Sequence, residues 1–377
     1  MPLSRLQSLK RAAALFVGFA LLYALTAQRG LGWGDSGEFQ HWVLDRTELI
    51  CGLSFSNAHP LYVAFCRLVA STPFAVTLVS SFFGALAVAG LYLASRKVSL
   101  ALLFGLSQML WWLSCVAEVQ TMNLAFTAFE TYLLLEYLRS RRIGWFYALA
   151  FLAGLHLEVH NFALLALPVY AVIGLRDRRL YFAPLAWAVG AAYWLFAVFT
   201  RGPVDVLVGV YGAKVAGALP ANWLVTGFNL VLAAISFAVP VALWRWREKG
   251  GSRPLGFPAV LALFAINFLF FIRYFVPDQA TFLLPSLFFA YLLVAETPLK
   301  VNRLVALALI QLLLPVAAAL ALESLPRPAS RQEHKYRDDA QYFALPWKFL
   351  DDSADRYAAE LGGTWTGYPE TMTEGSR

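Results

Sequence analysis

Acidic and histidine side chains stand beside long apolar runs at several points of this sequence. Asp35, Glu38 and His59 lie between the first two apolar runs, and Glu118 and His160 lie at the ends of later ones. Moving an ionisable group towards hydrocarbon costs free energy, so such groups are candidates for function. A carboxylate held in a fixed position can take the proton from an attacking hydroxyl group. The sequence therefore directs attention to these acids first.

The first two acids form a D-x-x-E pattern within Gly32–Phe39. At this spacing, Asp35 and Glu38 can simply cap the start of a helix. The glycines and the serine beside them instead favour a tight turn that lets a ligand approach the backbone closely. The sequence leaves two interpretations of this pair, a helix cap and a reactive site.

His59 and Glu118 also have structural explanations. His59 stands before Pro60, so the pair can simply set a turn at the membrane interface. Glu118 follows Trp111-Trp112, which is typical of the aromatic belt at a membrane surface. An acid in that place would be stabilised by the dipole of the helix predicted to follow it. Structure and substrate binding both remain open for these two residues.

The best candidate for an anion site is Arg273, because a guanidinium group matches two phosphate oxygens at once. Pairing with Asp278 would explain this arginine equally well. His156, Glu158 and His160 are metal-ligand types, but two histidines on one helix supply only part of the ligand set that zinc needs. Structural hydrogen bonding is favoured for them. The sequence identifies no cofactor with certainty, and a divalent metal is possible but not indicated.

The elements that must position these side chains are membrane helices. Of the 377 residues, 60% are hydrophobic and 14% are charged, whereas soluble proteins average about 25% charged residues. Apolar runs of about 20 residues, enough to cross a hydrocarbon core, recur along the chain. We expect an all-α polytopic membrane protein with about 10–11 transmembrane helices. The predicted helices lie near 12–28, 74–95, 98–115, 119–138, 144–157, 160–175, 181–199, 223–244, 256–272, 279–296 and 303–322.

The basic residues behind the net charge of +7 are distributed as in a membrane protein, so this charge does not indicate nucleic-acid binding. Clusters such as Arg139–Arg142 and Arg176–Arg179 alternate with segments poor in Lys and Arg, as the positive-inside bias predicts. This alternation places the N-terminus in the cytoplasm and the acidic loops outside. We expect a multi-pass protein of the cell membrane, with a transmembrane domain at 1–322. Residues 323–377, rich in charged and aromatic side chains, are predicted to form an extracytoplasmic tail.

Five short blocks occur in an order that resembles a known family. The segment Gly32–Phe39 resembles the "DSGEF" stretch in the first outer loop of membrane proteins related to protein O-mannosyltransferases, within the glycosyltransferase-C superfamily. The other four blocks, in chain order, are similar to "HPPGYPLY" (His59–Tyr62), "AEVYTLN" (Ala117–Asn123), "GL…NH…LP" (Gly154–Pro168) and "YNVPD…LP" (Arg273–Pro285). The match is incomplete in three of them: the second block lacks one proline and a glycine, Gln120 replaces a tyrosine in the third, and the fifth lacks an asparagine.

This resemblance implies an inverting glycosyltransferase. It would move a sugar, mannose being one candidate, from a polyprenyl-phosphate carrier to a hydroxyl group on a protein or glycolipid at the outer membrane face. Asp35 would be the catalytic base and Glu38 would support it. The bilayer, the carrier and the acceptor are the expected partners. The substrate-binding residues implied are His59, Glu118, Asn123, His160, Arg273 and Asp278.

Two other classes of protein remain as alternatives. A proton-coupled secondary transporter would also carry ionisable groups in a bundle of apolar helices. Transporters, however, place such groups near the membrane midplane in two related halves, and this sequence shows no duplication and has its acids near one face. A non-catalytic, lipid-binding membrane scaffold would be favoured if the acids of the first loop proved replaceable.

Overall fold

The computed structural model describes residues 5–30, 32, 35–44, 55, 58–207, 223–246, 253–274 and 279–324. Within these ranges the chain is helical, which confirms the all-α prediction, and it contains no strand. Among the described residues, 3₁₀ helices occur at Asn161–Ala166, Arg178–Leu180 and Gln279–Leu283. The α-helices are α1 (Arg5–Leu25), α2 (Asp35–Leu44), α3 (Pro60–Val69), α4 (Pro73–Ser95), α5 (Val98–Gly105), α6 (Gln108–Ser114), α7 (Gln120–Ser140), α8 (Ile143–His156), α9 (Leu167–Gly174), α10 (Ala183–Gly190), α11 (Ala192–Arg201), α12 (Pro203–Leu207), α13 (Trp223–Arg245), α14 (Phe257–Arg273), α15 (Leu284–Leu293) and α16 (Val301–Ser324).

Every predicted apolar segment contains helix, including the short pair at 144–157 and 160–175. Those two segments are separated by a break at residues 157–160, where the sequence places Glu158 and His160. Asp278 lies outside the described residues, as does the chain beyond Ser324, so the predicted tail is a prediction still.

The predicted single helix at 98–115 is wrong, because the chain forms α5 and α6 with a break between them. The Ser107 hydroxyl donates to the carbonyl of Phe104 at 2.6 Å, and the Tyr23 hydroxyl donates to the carbonyl of Gly105 at 2.7 Å. In a continuous helix these carbonyls would accept from backbone N–H groups four residues later. Side-chain donors therefore satisfy the end of α5.

The helix predicted near 181–199 is interrupted, because the helical segment Arg178–Gly190 is bent by 67° against α11. The carboxylate of Glu158 accepts from the backbone N–H of Trp194 at 2.6 Å, in the first turn of α11. The first N–H groups of a helix have no partner within the helix. A carboxylate from another element satisfies one of them here and stabilises the break.

Membrane-spanning helices are present in the described part of the chain. By length and composition, α1 and α4 can each cross a membrane, and the bent unit from Arg178 to Arg201 would be a third span. Shorter apolar helical stretches of 10–17 residues are found elsewhere in the described part of the chain, such as Ile143–His156 and Phe257–Arg273. The number of crossings, which the sequence puts at about ten or eleven, stays a prediction.

Helix α4 lies at the centre of the bundle and packs against α1 and α7. Small residues allow the close approaches. A Cβ atom on Gly90 would stand 2.8 Å from the Cβ of Ala128 on α7, and one on Gly84 would stand 2.0 Å from the Ser114 Oγ on α6. Close contact between small residues is the usual way in which membrane helices associate, since lipid is as apolar as their side chains.

Two short helices, α2 and α3, occupy the stretch between the first two predicted membrane helices. Helix α3 begins with Pro60, whose fixed φ and missing N–H suit the first helical turn. The two helices are joined by a hydrogen bond of 2.7 Å from Arg67 Nη2 to the carbonyl of Trp42. The rings of Phe39 and Tyr62 also meet edge to face, 5.1 Å apart. Together the two helices pack against one end of α4.

We predict that Gly154→Ala destabilises the protein. A Cβ at this position on α8 would stand 2.1 Å from the carbonyl oxygen of Trp187, and one on Gly190 would stand 2.1 Å from that of Phe151. Backbone atoms cannot turn aside as a side chain does, so we expect a cost of about 1–3 kcal/mol or more. Gly144→Ala on the same helix has nothing within 4 Å and is the control. Equal thermal midpoints in detergent for the two variants would refute the close crossing.

Candidate functional site

The helix that carries the two first-loop acids is fixed by Gln40, a residue that the sequence did not single out. Its side-chain oxygen accepts from the backbone N–H of Gly32 at 2.7 Å, and its Nε2 donates to the carbonyl of Pro73 at 3.1 Å. Gln40 is fully buried. A Cβ on Gly32 would stand 2.7 Å from the Cβ of Ser36, so this close approach requires glycine. The chain before α2 is thereby tied to the start of α4.

Asp35 and Glu38 both lie in the first turn of α2. Their neighbour Phe39 is buried, whereas the two acidic side chains are exposed. Desolvation of its inner part, and then the nearby charge of Asp35, raise the pKa of Glu38 above its ordinary value. This placement agrees with the helix-start interpretation of D-x-x-E. It also leaves both carboxylates accessible, which a reactive site needs.

His59 has an unusual backbone conformation. Its φ of 46° and ψ of 55° are left-handed, although a residue before proline normally adopts an extended backbone. The Nδ1–H of its ring donates to the carbonyl of Val159 at 2.8 Å, and the N–H of Leu61 donates to the carbonyl of Glu158 at 2.9 Å. Such conformations persist where neighbouring contacts enforce them, and they cluster at functional sites.

The ring of His59 joins the first loop to the break after α8. It stacks against His160, with ring centroids 4.8 Å apart, and lies 5.7 Å from the ring of Phe39 on α2. Burial lowers the pKa of His59 to about 4, and the hydrogen bond to Val159 opposes this shift only in part. At neutral pH the ring is therefore uncharged, with its hydrogen on Nδ1 and a bare Nε2.

His160 is buried and has contacts on both nitrogens. Its Nδ1 accepts from the backbone N–H of Phe162 at 3.2 Å, which caps the following 3₁₀ helix. Its Nε2 lies 3.4 Å from Nε2 of Gln120 on α7. Burial, and then the proximity of His59 and His156, lower the pKa of His160 well below its ordinary value. Like His59, this ring is neutral.

A second buried group of polar residues continues from Gln120 into the bundle. Asn123 Nδ2 lies 3.2 Å from Gln120 Oε1, and Asn123 Oδ1 lies 2.7 Å from His156 Nε2. His156 Nδ1 lies 2.7 Å from the carboxylate of Glu130, which also accepts from the Tyr170 hydroxyl at 2.9 Å. His156 thus makes the structural hydrogen bonds that the sequence favoured over metal binding.

Glu118 meets the rest of the site through Ser80 on α4. The Ser80 hydroxyl donates to the Glu118 carbonyl at 2.9 Å and accepts from the Glu118 N–H at 2.9 Å. The Tyr62 hydroxyl lies 3.4 Å from the same oxygen. Ser80 therefore joins the second and third sequence blocks, and the Glu118 side chain is half-buried beside them.

Arg273 stands at the end of α14 with an exposed side chain. Its neighbours on the helix, Phe270 and Tyr274, pack against Phe162 with centroids 4.7 and 6.2 Å away. Phe162 in turn contacts the ring of His160 at 4.0 Å. The end of α14 is therefore attached to the break after α8, and Arg273 lies on the exposed side of this attachment.

The structure brings four of the five sequence blocks together around His59, through Phe39, Gln120 and His160. The fifth block reaches the same place through aromatic contacts at the end of α14. Gln40 and Ser80 had no sequence signal beyond their polarity. The missed residues Glu130 and Tyr170 did have one in part, because Glu130 interrupts a predicted span and intramembrane acids are functional candidates by default.

The described residues contain no group of three His, Cys, Asp or Glu side chains arranged to hold a metal ion. What they contain is a helical bundle with a polar surface at the first loop and the break after α8. The class that fold and composition define is an all-helical integral membrane protein.

Two kinds of comparison agree with this class. The family model "Protein O-mannosyl-transferase TMEM260 N-terminal domain" matches residues 94–180, a range that includes the third and fourth sequence blocks. No curated protein matches the chain in sequence. Together with a match to solved structures of a glycosyltransferase-C enzyme, the family model confirms the resemblance predicted from the five blocks.

The solved structures are two of ArnT from Cupriavidus metallidurans. The one bound to undecaprenyl phosphate is 17% identical to this chain, covers 89% of it over 70% of its own length, and gives a TM-score of 0.62. The apo structure is 18% identical, covers 89% over 69% of its own length, and gives a TM-score of 0.59. At this identity the likeness shows that the two proteins share a fold.

We predict that Glu158 makes the stability of the protein depend on pH. Burial raises the pKa of this carboxyl group from 4.5 to about 7, despite the N–H groups of Trp194 and Tyr193. The folded state therefore holds the proton more tightly than the unfolded state. The resulting stabilisation is complete below about pH 4.5 and is lost as the pH rises to about 7.

Glu158→Gln keeps an oxygen for the Trp194 N–H and does not titrate. We expect its thermal midpoint in detergent, relative to the wild type, to rise steadily between about pH 4.5 and pH 7. Glu296→Gln, which alters a partly exposed carboxylate paired with Lys97 at 3.4 Å, is the matched control. A difference between Glu158→Gln and the wild type that stays constant over this range would contradict the raised pKa.

Proposed function

We propose that this protein is a glycosyltransferase that uses a polyprenyl-phosphate sugar, with its active site at the exposed first turn of α2. The observation that carries the proposal is the convergence of four sequence blocks around His59 in a chain of the glycosyltransferase-C fold. These blocks are far apart in sequence, and the packing of helices does not by itself explain why they meet. A shared site gives one.

The reaction needs a base, an anion-binding group and a path for lipid. The acceptor hydroxyl attacks the anomeric carbon and transfers its proton to Asp35, while the bond from that carbon to the phosphate oxygen breaks and inverts the centre. Glu38 supports Asp35 one helical turn away. The leaving phosphate gains charge as the bond breaks, so a cation that strengthens its contact at that moment lowers the barrier. Arg273 is the proposed cation.

The finer assignments rest on the relatives. The matching family model describes a protein O-mannosyl-transferase, so we propose mannose as the sugar and a protein hydroxyl as the acceptor. ArnT was solved with undecaprenyl phosphate, which supports a polyprenyl phosphate as carrier. The charge pattern supports a cytoplasmic N-terminus, and therefore a site on the extracytoplasmic side. His59, Glu118, Asn123 and His160 are proposed to bind substrate or to shape the site.

The proton-coupled transporter remains the second candidate because of one observation. Glu130 and His156 form a buried pair between α7 and α8, 2.7 Å apart. Buried acids and histidines of this kind carry protons in many pumps and transporters. Proton uptake into vesicles that accompanies solute transport, together with no sugar transfer, would favour this candidate over the enzyme.

Asp35→Asn tests the proposed base. Asn caps a helix start as well as Asp does, so the variant should fold and bind the lipid donor normally. Loss of a general base typically costs about 10²–10⁴-fold in rate, and we expect a loss of this size in transfer from a radiolabelled polyprenyl-phosphate sugar. Asp177→Asn, at a carboxylate held by Arg179 at 2.7 Å, is the matched control.

Normal transfer by folded Asp35→Asn protein would remove Asp35 from the mechanism, and Glu38→Gln would then be measured in the same way. If both variants transferred sugar at the wild-type rate, the enzyme proposal would give way to a lipid-binding scaffold.

Arg273→Ala tests the proposed phosphate contact. Hydrogen bonds to charged groups are worth about 1.5–3 kcal/mol, so we expect the donor KM to rise about 10- to 100-fold with little change in the acceptor KM. Arg273→Lys should restore only part, because an ammonium group cannot make the paired contact. Arg253→Ala is the control, since Arg253 lies against Phe257 at the other end of α14. Equal weakening of donor and acceptor binding would indicate a structural arginine.

A further inference from the structure

A continuous chain of buried polar side chains crosses from the site into the helical bundle. Each member is at least nine-tenths buried, and a buried polar group that lacks a hydrogen-bond partner costs free energy. The proposed transfer step does not use the inner part of this chain. Its consecutive contacts are His160–Gln120 (3.4 Å), Gln120–Asn123 (3.2 Å), Asn123–His156 (2.7 Å), His156–Glu130 (2.7 Å) and Glu130–Tyr170 (2.9 Å).

The outer end fixes the direction of the chain. The backbone N–H of Phe162 donates to His160 Nδ1, and a backbone N–H can only donate. The hydrogen of the neutral His160 ring is therefore on Nε2. This Nε2–H faces the side-chain amide of Gln120. If the NH₂ group of that amide points to His160, two donors face each other. A half-turn of the Gln120 side chain about its last bond exchanges the amide oxygen and nitrogen. The oxygen then faces His160 and is the missing acceptor.

The same logic passes along the chain. When Gln120 Oε1 accepts from His160, the NH₂ group of Gln120 faces Asn123. It then needs the side-chain oxygen of Asn123 as its acceptor. Asn123 then turns as well, and its NH₂ group donates to His156 Nε2. His156 carries its hydrogen on Nδ1 and donates it to Glu130, which also accepts from Tyr170. Every donor in the chain then meets an acceptor.

The opposite direction fails at the His160 end. It would place the Gln120 NH₂ group against a protonated Nε2 of His160, two donors with no acceptor between them. The direction therefore follows from the one group whose role cannot change, the Phe162 N–H.

We infer that Glu130 and His156 are positioning residues of the proposed site: through Asn123 and Gln120 they supply the fixed acceptor for the Nε2–H of His160, and so hold the ring against which His59 packs. The ring of His59 in turn contacts Phe39, next to Glu38 on α2. The role in transfer rests on the proposed function, whereas the direction of the hydrogen bonds rests on the fixed donor at Phe162 and on half-turns of the two amides.

The test is the ¹⁵N NMR spectrum of the full chain in detergent micelles, with its five histidines labelled and assigned by single replacements. A ring nitrogen that carries hydrogen is readily distinguished from one that does not. We expect hydrogen on Nδ1 of His59 and His156 and on Nε2 of His160. Hydrogen on both nitrogens of His156, or on Nδ1 of His160, would overturn the inference in the wild-type protein, before any variant is made.

Two variants separate the chain from general packing. Glu130→Gln keeps an acceptor for His156 Nδ1–H, so the pattern of hydrogens should persist. Asn123→Leu interrupts the chain, so the Nε2–H of His160 loses its fixed acceptor and the NMR signals of this ring should shift, although the Phe162 N–H keeps the hydrogen on Nε2. We expect kcat to fall by up to about 100-fold with an unchanged donor KM. Thr131→Val is the control, because that hydroxyl on α7 donates only to the carbonyl of Thr127 at 2.7 Å.

Unchanged His160 signals in folded Asn123→Leu protein would overturn the inference. Altered His160 signals with full kcat would overturn the positioning role. A wild-type protein that shows the expected hydrogens yet transfers no sugar would overturn the proposed function instead, and would support the hydrogen-bond direction.

Discussion

The contact between His59 and the break after α8 is the constraint on which the arrangement of the site depends. A left-handed residue before proline is strained, and the carbonyls of Glu158 and Val159 hold it there through hydrogen bonds to Leu61 and to the His59 ring. Those carbonyls are available because α8 ends at His156. The end of one helix therefore sets the position of α3, and α3 sets the position of the helix that bears the acids.

Much of the fold could be predicted because apolar length determines where membrane helices form. The eleven predicted segments all contain helix, and their charge-rich ends are visible in the sequence. The breaks could not be predicted, since they depend on partners from other elements. The carboxylate of Glu158 stabilises the start of α11, and the hydroxyl of Tyr23 satisfies the end of α5. Helices α2 and α3 were missed because ten residues carry too little periodicity beside polar loops.

The site could be predicted in part for a different reason. Motif order indicated that distant blocks belong together, and His59, Asn123 and His160 do lie within one connected set of contacts. What the sequence could not show is how they connect. Gln40 and Ser80 are ordinary polar residues until a fold places Gly32 against one and Glu118 against the other. The roles of Asp35, Glu38 and Arg273 depend on ligands, and they remain predictions.

The polar groups of this protein divide by what their surroundings allow. Inside the bundle no water can replace a lost partner, so the residues from Gln120 to Tyr170 satisfy one another and a single change affects all of them. At the first turn of α2 the acids are exposed, so they can bind, release a proton and exchange partners at little cost. A reacting carboxylate needs that freedom, but it also needs a fixed frame. We propose that the buried chain supplies this frame, through the contact of His160 with His59 and that of His59 with Phe39 on the helix that bears the acids.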